Sequence, residues 1–354
     1  MRRSDDEIET PSSYQGLLRK SKEGSSPEMK MPLELKPSFA LVPLPNIVSE
    51  PNYLLRYSAE DSGLVSLLKQ FGFVSPLFAV EKEGGQYKII SGHKRFSAAT
   101  QIAMKFLPVW FVPSEVLSPA ELFQMALLLN VSSVLTDLDR SVVAVKGIEQ
   151  FGFSWEEMEQ LARLFGLPPS RKVLGDYYAV GKMPDAIQKE IYEGRIPFKA
   201  ARSLCDFDSE QRNLFVREIF SHCEFTASEA QEVVEWLSDI VRRDKINLRG
   251  LISMEIFRNI LFSNQLEAKE KGRKFHQRLR VLRFPSYSAV EEKFKKIKNA
   301  LEKEKEVRLE KTPFFEKGSF SLSLTVDSVE KLRFLVDYLA RNESLFKDLF
   351  DLVQ

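Results

Sequence analysis

Ser91-Gly-His-Lys-Arg95 puts a glycine ahead of His93, Lys94 and Arg95 at what reads as a strand–loop–helix junction. Glycine permits close backbone approach, and free N–H groups at a helix N-terminus attract anions. Two fixed cations beside them suit the phosphates of a nucleotide. Gly92, His93, Lys94 and Arg95 are therefore candidate anion-binding residues, against the plainer reading of a solvated surface turn. A second set, Ser170, Arg171, Lys172 and Asp176, heads a short helix after Gly166-Leu-Pro-Pro169. Its chemistry would be contact with base edges and phosphates in a major groove. A third set, Lys293, Lys295, Lys296 and Lys298, lies on an amphipathic helix and could neutralise phosphates without reading sequence. No HExxH, Walker or Ser-His-Asp pattern occurs, so no residue is assigned a catalytic role and no metal ligands are proposed. Cys205 and Cys223 have neither CxxC spacing nor a neighbouring His cluster and read as buried thiols.

The elements that must carry these residues are legible from spacing. Ser154 is a good N-cap, with Glu156 and Glu157 in the first helical turn. Met158, Leu161, Ala162 and Phe165 recur at helical spacing until Gly166, and Leu167-Pro168-Pro169 cannot continue a helix. Ser170 then caps a second helix striped by Val173, Leu174, Tyr177 and Tyr178, which Gly181 and Pro184 stop. Two short helices around such a turn, with the small Ala162 four residues before the glycine, form the helix-turn-helix pattern; the alternative is an ordinary helical hairpin. Upstream, Phe39 to Pro45 is apolar and extended, and Asp61 or Ser62 caps a helix carrying Leu64, Leu67, Leu68 and Phe71. Pro76 to Val80 reads as a buried strand, and Glu83 to Gln86 as a hairpin turn into Tyr87 to Ile90. Residues 205–265 read as further helices.

Beyond a polar link, Leu279 to Phe284 alternates as a strand, and Val290, Phe294, Ile297 and Leu301 stripe the lysine-bearing helix. Glu306 to Lys311 and Ser319 to Val326 flank a turn at Phe315 to Gly318. Phe320, Leu322, Leu324 and Val326 all fall on one side of the second strand, so that face is expected to be buried. Asp327 is expected to cap a final helix, with Glu330 placed for a capping box.

A chain of 354 residues allows two or three domains. The net charge of +1 hides an uneven distribution: residues 269–311 hold 15 Lys and Arg against 7 Asp and Glu, a net +8, which leaves −7 elsewhere. A concentrated basic module is the footprint of phosphate contact. The first 36 or so residues are polar and rich in Ser, Pro and charge, and are expected to be disordered. No apolar run is long enough to span a bilayer and no secretory signal is seen, so a cytoplasmic protein is expected.

The order of these pieces resembles the ParB chromosome- and plasmid-partition family. Gly72, Val74 and Pro76 resemble its "G-V-x-x-P" strand entry, and Gly92 to Arg95 its "G-x-R-R" loop, with Lys94 for the first arginine. The run 183–204, with Ile187, Gln188, Gly194, Ile196, Ala201, Arg202 and Leu204 in place, resembles the segment that follows its helix-turn-helix. The resemblance implies an α+β ParB/sulfiredoxin-like N-terminal domain, an all-α helix-turn-helix domain and a small α+β C-terminal dimerisation domain. On it we divide the chain into a tail (1–37), an N-terminal domain (38–137), a DNA-binding domain (138–265) and a basic dimerisation domain (266–354). A sulfiredoxin would need a cysteine where this loop has His93.

The implied function is a homodimer that binds an inverted-repeat DNA site in partition, nucleoid-associated and working with a ParA-type ATPase. A transcriptional regulator is the alternative. A nucleotide-dependent kinase or nuclease on the same fold would have to draw its carboxylates from Glu60, Asp61 or Glu121. The implied cofactor is CTP, held by the 92–95 loop and Asn130. The family's "E-N-x-x-R" box, however, reads Leu129-Asn130-Val131-Ser132-Ser133 here. Leucine offers no oxygen to a hard cation, so weak or absent CTP binding and no hydrolysis are expected.

Overall fold

A computed structural model describes residues 35–312 and 319–352. The tail expected over 1–37 lies almost wholly outside that range, as does the turn at Phe315 to Gly318. The first described unit is a five-stranded sheet in the order β1-β5-β3-β4-β2: β1 (Ser38–Pro43), β2 (Ile47–Val48), β3 (Leu77–Lys82), β4 (Gln86–Ser91) and β5 (Phe106–Pro113). The β3–β4 hairpin closes at Gly84 and Gly85, with φ of +84° and +71°, the conformation that matches the twist of paired strands and that L side chains resist. Leu77, Ala79, Ile89 and Val109 fill one core on this sheet. Helix α1 (Ser62–Phe71) starts at Asp61, which accepts from the Leu64 N–H, and stops at Gly72. Helix α2 (His93–Gln101) starts at Gly92, whose φ of +104° is left-handed.

Helix α3 (Pro119–Leu129) opens with a Ser118/Glu121 capping box, and α4 (Asp137–Glu149) with a Thr136/Asp139 one. Phe123 and Ala126 of α3 share a core with Val143 of α4, Met158, Leu174 and the sheet residues Val80, Ile90 and Val112. Apolar packing is therefore continuous from the sheet into the helices that follow. Those are α5 (Trp155–Leu161), extended by a 3-10 turn (Ala162–Phe165), and α6 (Arg171–Gly181). Next come α7 (Asp185–Tyr192), α8 (Phe198–Leu204), α9 (Ser209–Leu214, running on as a π turn), α10 (Ala227–Asp244), α11 (Leu248–Ile252) and α12 (Glu255–Leu261).

Three expectations for the C-terminal part are corrected. Leu279 to Phe284 is not a strand: residues 268–283 form α13 (Ala268–Arg283), which buries Phe275 and Leu279 in the core around α10 and α12. Alternation over six residues was outweighed by the longer helical stripe of Gly272, Phe275 and Leu279. Helix α14 (Pro285–Leu301) then starts a separate small core of Phe294, Ile297, Leu301, Leu309 and Leu349 against the hairpin β6 (Val307–Lys311)–β7 (Phe320–Leu324). The apolar side of β7 is only partly covered within the chain: Phe320 packs on Phe294 and Leu324 is half-buried, whereas Leu322 and, just past the strand, Val326 remain 38% and 44% exposed. Finally, Ser328 rather than Asp327 caps α15 (Val329–Arg341), accepting from the Lys331 N–H, and Asn342 separates it from α16 (Glu343–Phe350).

Candidate nucleic-acid interface and anion-binding loop

Helices α4, α5 and α6 form the helix-turn-helix unit. A Ser154/Glu157 capping box starts α5, and Gly166 ends its 3-10 extension at φ +78°. Arg140 of α4 stitches the turn: its Nε donates to the Phe165 carbonyl at 3.2 Å while its other end pairs with Asp137 at 2.8 Å. Tyr177 donates to the same Asp137 oxygen at 2.8 Å, and burial pushes its hydroxyl up to about 12. Helix α6 ends at Gly181, where the sequence placed its stop. A Cβ there would lie 2.6 Å from the Ser141 carbonyl oxygen, so the glycine sets how closely α4 and α6 pack. The rear of α6 is thus fixed through Leu174, Tyr177, Val180 and Gly181, leaving its first turn outward.

In that first turn Arg171 and Lys172 are exposed. Ser170 holds the N-cap position with extended backbone, but its side chain makes no capping hydrogen bond, which corrects its expected role as a side-chain cap. Arg171 lies over the Trp155 ring, its guanidinium carbon 4.0 Å from the centroid, and 3.8 Å from Glu156. Lys172 makes no ion pair among the described residues. Asp176 is engaged by Arg202 of α8 at 3.3 Å, which turns its carboxylate toward the neighbouring helix.

Residues 92–95 come together with Asn130 and Ser133 in a cleft of about 250 Å³, also lined by Tyr53, Leu55 and Arg56. Their groups are largely committed. Lys94 pairs with Asp61 at 3.1 Å. Arg95 donates to the carbonyls of Ser75 and Pro76, and burial lowers its pKa. The Asn130 amide donates to Ala126 O at 2.8 Å and Ser91 Oγ at 3.2 Å. His93 is 6% exposed, and burial, with Lys146 nearby, pushes it down to about 4 against a hydrogen bond to the Glu50 backbone. Its Nε2 has no hydrogen-bond partner among the described residues. Lys146 of α4 is half-buried, which lowers it to about 8, and it donates to the carbonyls of Pro51 and Leu54. Glu121, one of the three acids offered for an enzyme reading, is spent on its own helix cap with Ser118.

As a triphosphate site this loop fits in part. The α2 N-terminus and Lys94 suit one anionic group, whereas the neutral His93 ring, donating to the Glu50 backbone, leaves Nε2 as an acceptor. Arg95 faces backbone carbonyls instead, and the exposed Leu129 brings no oxygen for a metal ion. The residues do not fit metal-assisted triphosphate hydrolysis.

The four lysines of α14 fall on both sides of its apolar stripe. Lys293 and Lys295 are exposed, whereas Lys296 pairs with Glu292 at 3.0 Å and Lys298 with Glu302 at 3.4 Å. Much of the remaining basic segment rides on α13, where Arg283 pairs with Asp239 of α10 at 2.9 Å. Cys205 and Cys223 are free thiols, raised by burial to about 11 and about 12. Among the described residues no helix is long and apolar enough to cross a membrane.

Two residues were missed from sequence alone. Trp155 and Lys146 are given no role in the reading of the sequence. An aromatic at the first position of a capped helix was the available signal for the former; the latter's burial depends on residues some ninety positions away.

No family model matches the chain. It is 24% identical to the nucleoid occlusion protein of Bacillus cytotoxicus over 220 residues, 61% of this chain and 72% of that one. The match to the nucleoid occlusion protein of Bacillus mycoides is 24% over 206 residues, 57% of this chain and 68% of the relative. The truncated chromosome-partitioning protein ParB of Caulobacter crescentus, solved with the centromeric parS site, superposes at a TM-score of 0.35 with 17% identity, covering 55% of this chain and 98% of that one. A Pnob8-like ParB-N domain gives 0.33 with 12% identity, covering 71% and 99%.

Proposed function

We propose that this divergent ParB-like chain is a sequence-specific DNA-binding dimer whose two helix-turn-helix units read an inverted repeat. The observation that carries this is α6 itself. Its rear is locked onto α4, while its first turn holds Arg171 and Lys172 free of the protein's own core. Lys293 and Lys295 would add phosphate contacts that position without specifying. The exposed apolar side chains of β7 and α15 supply the surface through which two copies pair. We retain the four-part division of the chain, with the helical core of the DNA-binding domain extended through α13. The nucleotide, if CTP, would dock its phosphates at residues 92–95. The protein then acts as a site-bound dimer, nucleoid-associated, with a ParA-type ATPase as its partition partner.

Chromatin pull-down of the tagged chain tests this and selects the role. Sites clustered at a replication origin mean partition, sites dispersed over the chromosome mean a role like that named for the Bacillus relatives, and promoter sites mean transcriptional control. Uniform recovery of all DNA would end the sequence-specific reading.

A further inference from the structure

Arg171 is long, 53% exposed at its side chain, and yet held. Its carboxylate neighbour Glu156 is 80% exposed at 3.8 Å, so solvent screens that attraction and the contact fixes little. The indole of Trp155 is the stronger restraint. The guanidinium carbon sits 4.0 Å from its ring centroid, the distance of a cation–π stack. Trp155 is itself fixed. Its backbone follows the Ser154/Glu157 capping box, and Tyr178 of α6 meets its ring edge-on at 5.0 Å and 64°. The Tyr178 hydroxyl donates to Glu149 of α4, which Lys182 also engages at 3.4 Å. All three helices of the unit therefore converge on one aromatic platform. Stacking constrains the plane of a guanidinium but leaves its in-plane N–H groups outward, which is what two parallel hydrogen bonds to a guanine edge require. Lys172, one residue on, has no such platform among the described residues.

We propose that Trp155 is the positioning residue of the interface: it preorganises Arg171 for oriented contact with one base pair, and so sets specificity without reading a base itself. This rests on the groove-binding reading of α6. The test uses the full-length chain and a duplex enriched by that chain from a random pool. Trp155→Ala and Trp155→Leu, the second filling the space without a π face, should each weaken binding roughly three- to thirty-fold. Trp155→Phe should stay within about three-fold of the parent. In an Arg171→Ala background the Trp155 changes should cost nothing further, and both changes should relax discrimination at the same base pair. An unchanged affinity in Trp155→Leu, or an equal loss with Arg171 already removed, overturns the positioning role while leaving groove binding intact. No loss in Arg171→Ala alone would instead overturn the groove-binding reading, and this proposal with it.

Discussion

Arg171 and Lys172 share a helical turn but differ in how they are held, and both face outward at the head of α6. Changing the pair to Ala should weaken binding to the enriched duplex by about 1–3 kcal/mol per lost base contact with the thermal transition unmoved. Retained affinity would place recognition elsewhere. His93 gives a second test at this scale. Its folded-state pKa lies near 4 and its ordinary value is 6.5, so below pH 6.5 the unfolded chain takes up a proton that the folded chain refuses. Stability from this residue is present above that pH and falls as pH drops toward 4. The loss between pH 7 and pH 5 should be about 2 kcal/mol. Urea unfolding at both pH values should show His93→Gln losing less than the parent by that amount; equal losses would mean the ring is already protonated or solvated. At the same cleft, each missing charge-assisted contact costs about 1.5–3 kcal/mol, or one to two orders of magnitude in affinity. Titration calorimetry with CTP should therefore give weak or no heat, and phosphate release should stay at background with cognate DNA. Robust DNA-stimulated turnover would show that another acid has taken the place of Leu129.

The elements of the helix-turn-helix unit are set by two glycines with opposite roles. Gly181 meets the backbone of α4, which cannot yield, so Gly181→Ala should destabilise by about 1–3 kcal/mol. Gly175, in the middle of the same helix, has nothing within 4 Å of an added Cβ. Gly175→Ala should stabilise by up to about 1 kcal/mol through helix propensity alone. Opposite shifts in melting temperature are the expected result, and a neutral Gly181→Ala would mean that α4 and α6 do not pack this closely. Gly147 presents the same crowding to Met158, but a thioether can rotate away, so its substitution should cost less.

For the whole molecule the decisive surface is the C-terminal one. Val329, Leu332 and Val336 recur at helical spacing on α15 and are 60%, 42% and 53% exposed, and Leu322 of β7 is 38% exposed. A two-stranded hairpin with a partly uncovered apolar side is marginal alone, which favours pairing with a second copy. Leu332→Glu with Val336→Glu should give a monomer by light scattering and an unchanged helical circular dichroism spectrum. Removal of the chain from Lys305 onward, which also takes away α15 and α16, should likewise give a monomer by light scattering. A dimer that survives both would relocate the interface. Monomeric variants should also lose affinity for an inverted repeat more than for a single half-site, since the second contact is no longer tethered.

Local chemistry was enough to place many elements. Ser154, Gly166 and Leu167-Pro168-Pro169 specify two helices and the turn between them, because caps, left-handed glycines and prolines act on their own backbone. Gly84 and Gly85 specify the hairpin for the same reason. The sequence likewise put Gly92 and the following cations at a helix start. What those side chains do was decided by residues far along the chain. Arg95 is claimed by the carbonyls of Ser75 and Pro76, Lys94 by Asp61, and Asp176 by Arg202. Leu279 to Phe284 shows the limit from the other side: six alternating residues satisfy a strand, but packing Phe275 and Leu279 into a distant helical core made them a helix. The stack of Arg171 on Trp155 is of that kind too, set by the turn geometry that brings the starts of α5 and α6 together. Backbone preference acts over a few residues and can be read in order; the partner of a buried or charged side chain depends on which distant segments packing brings beside it.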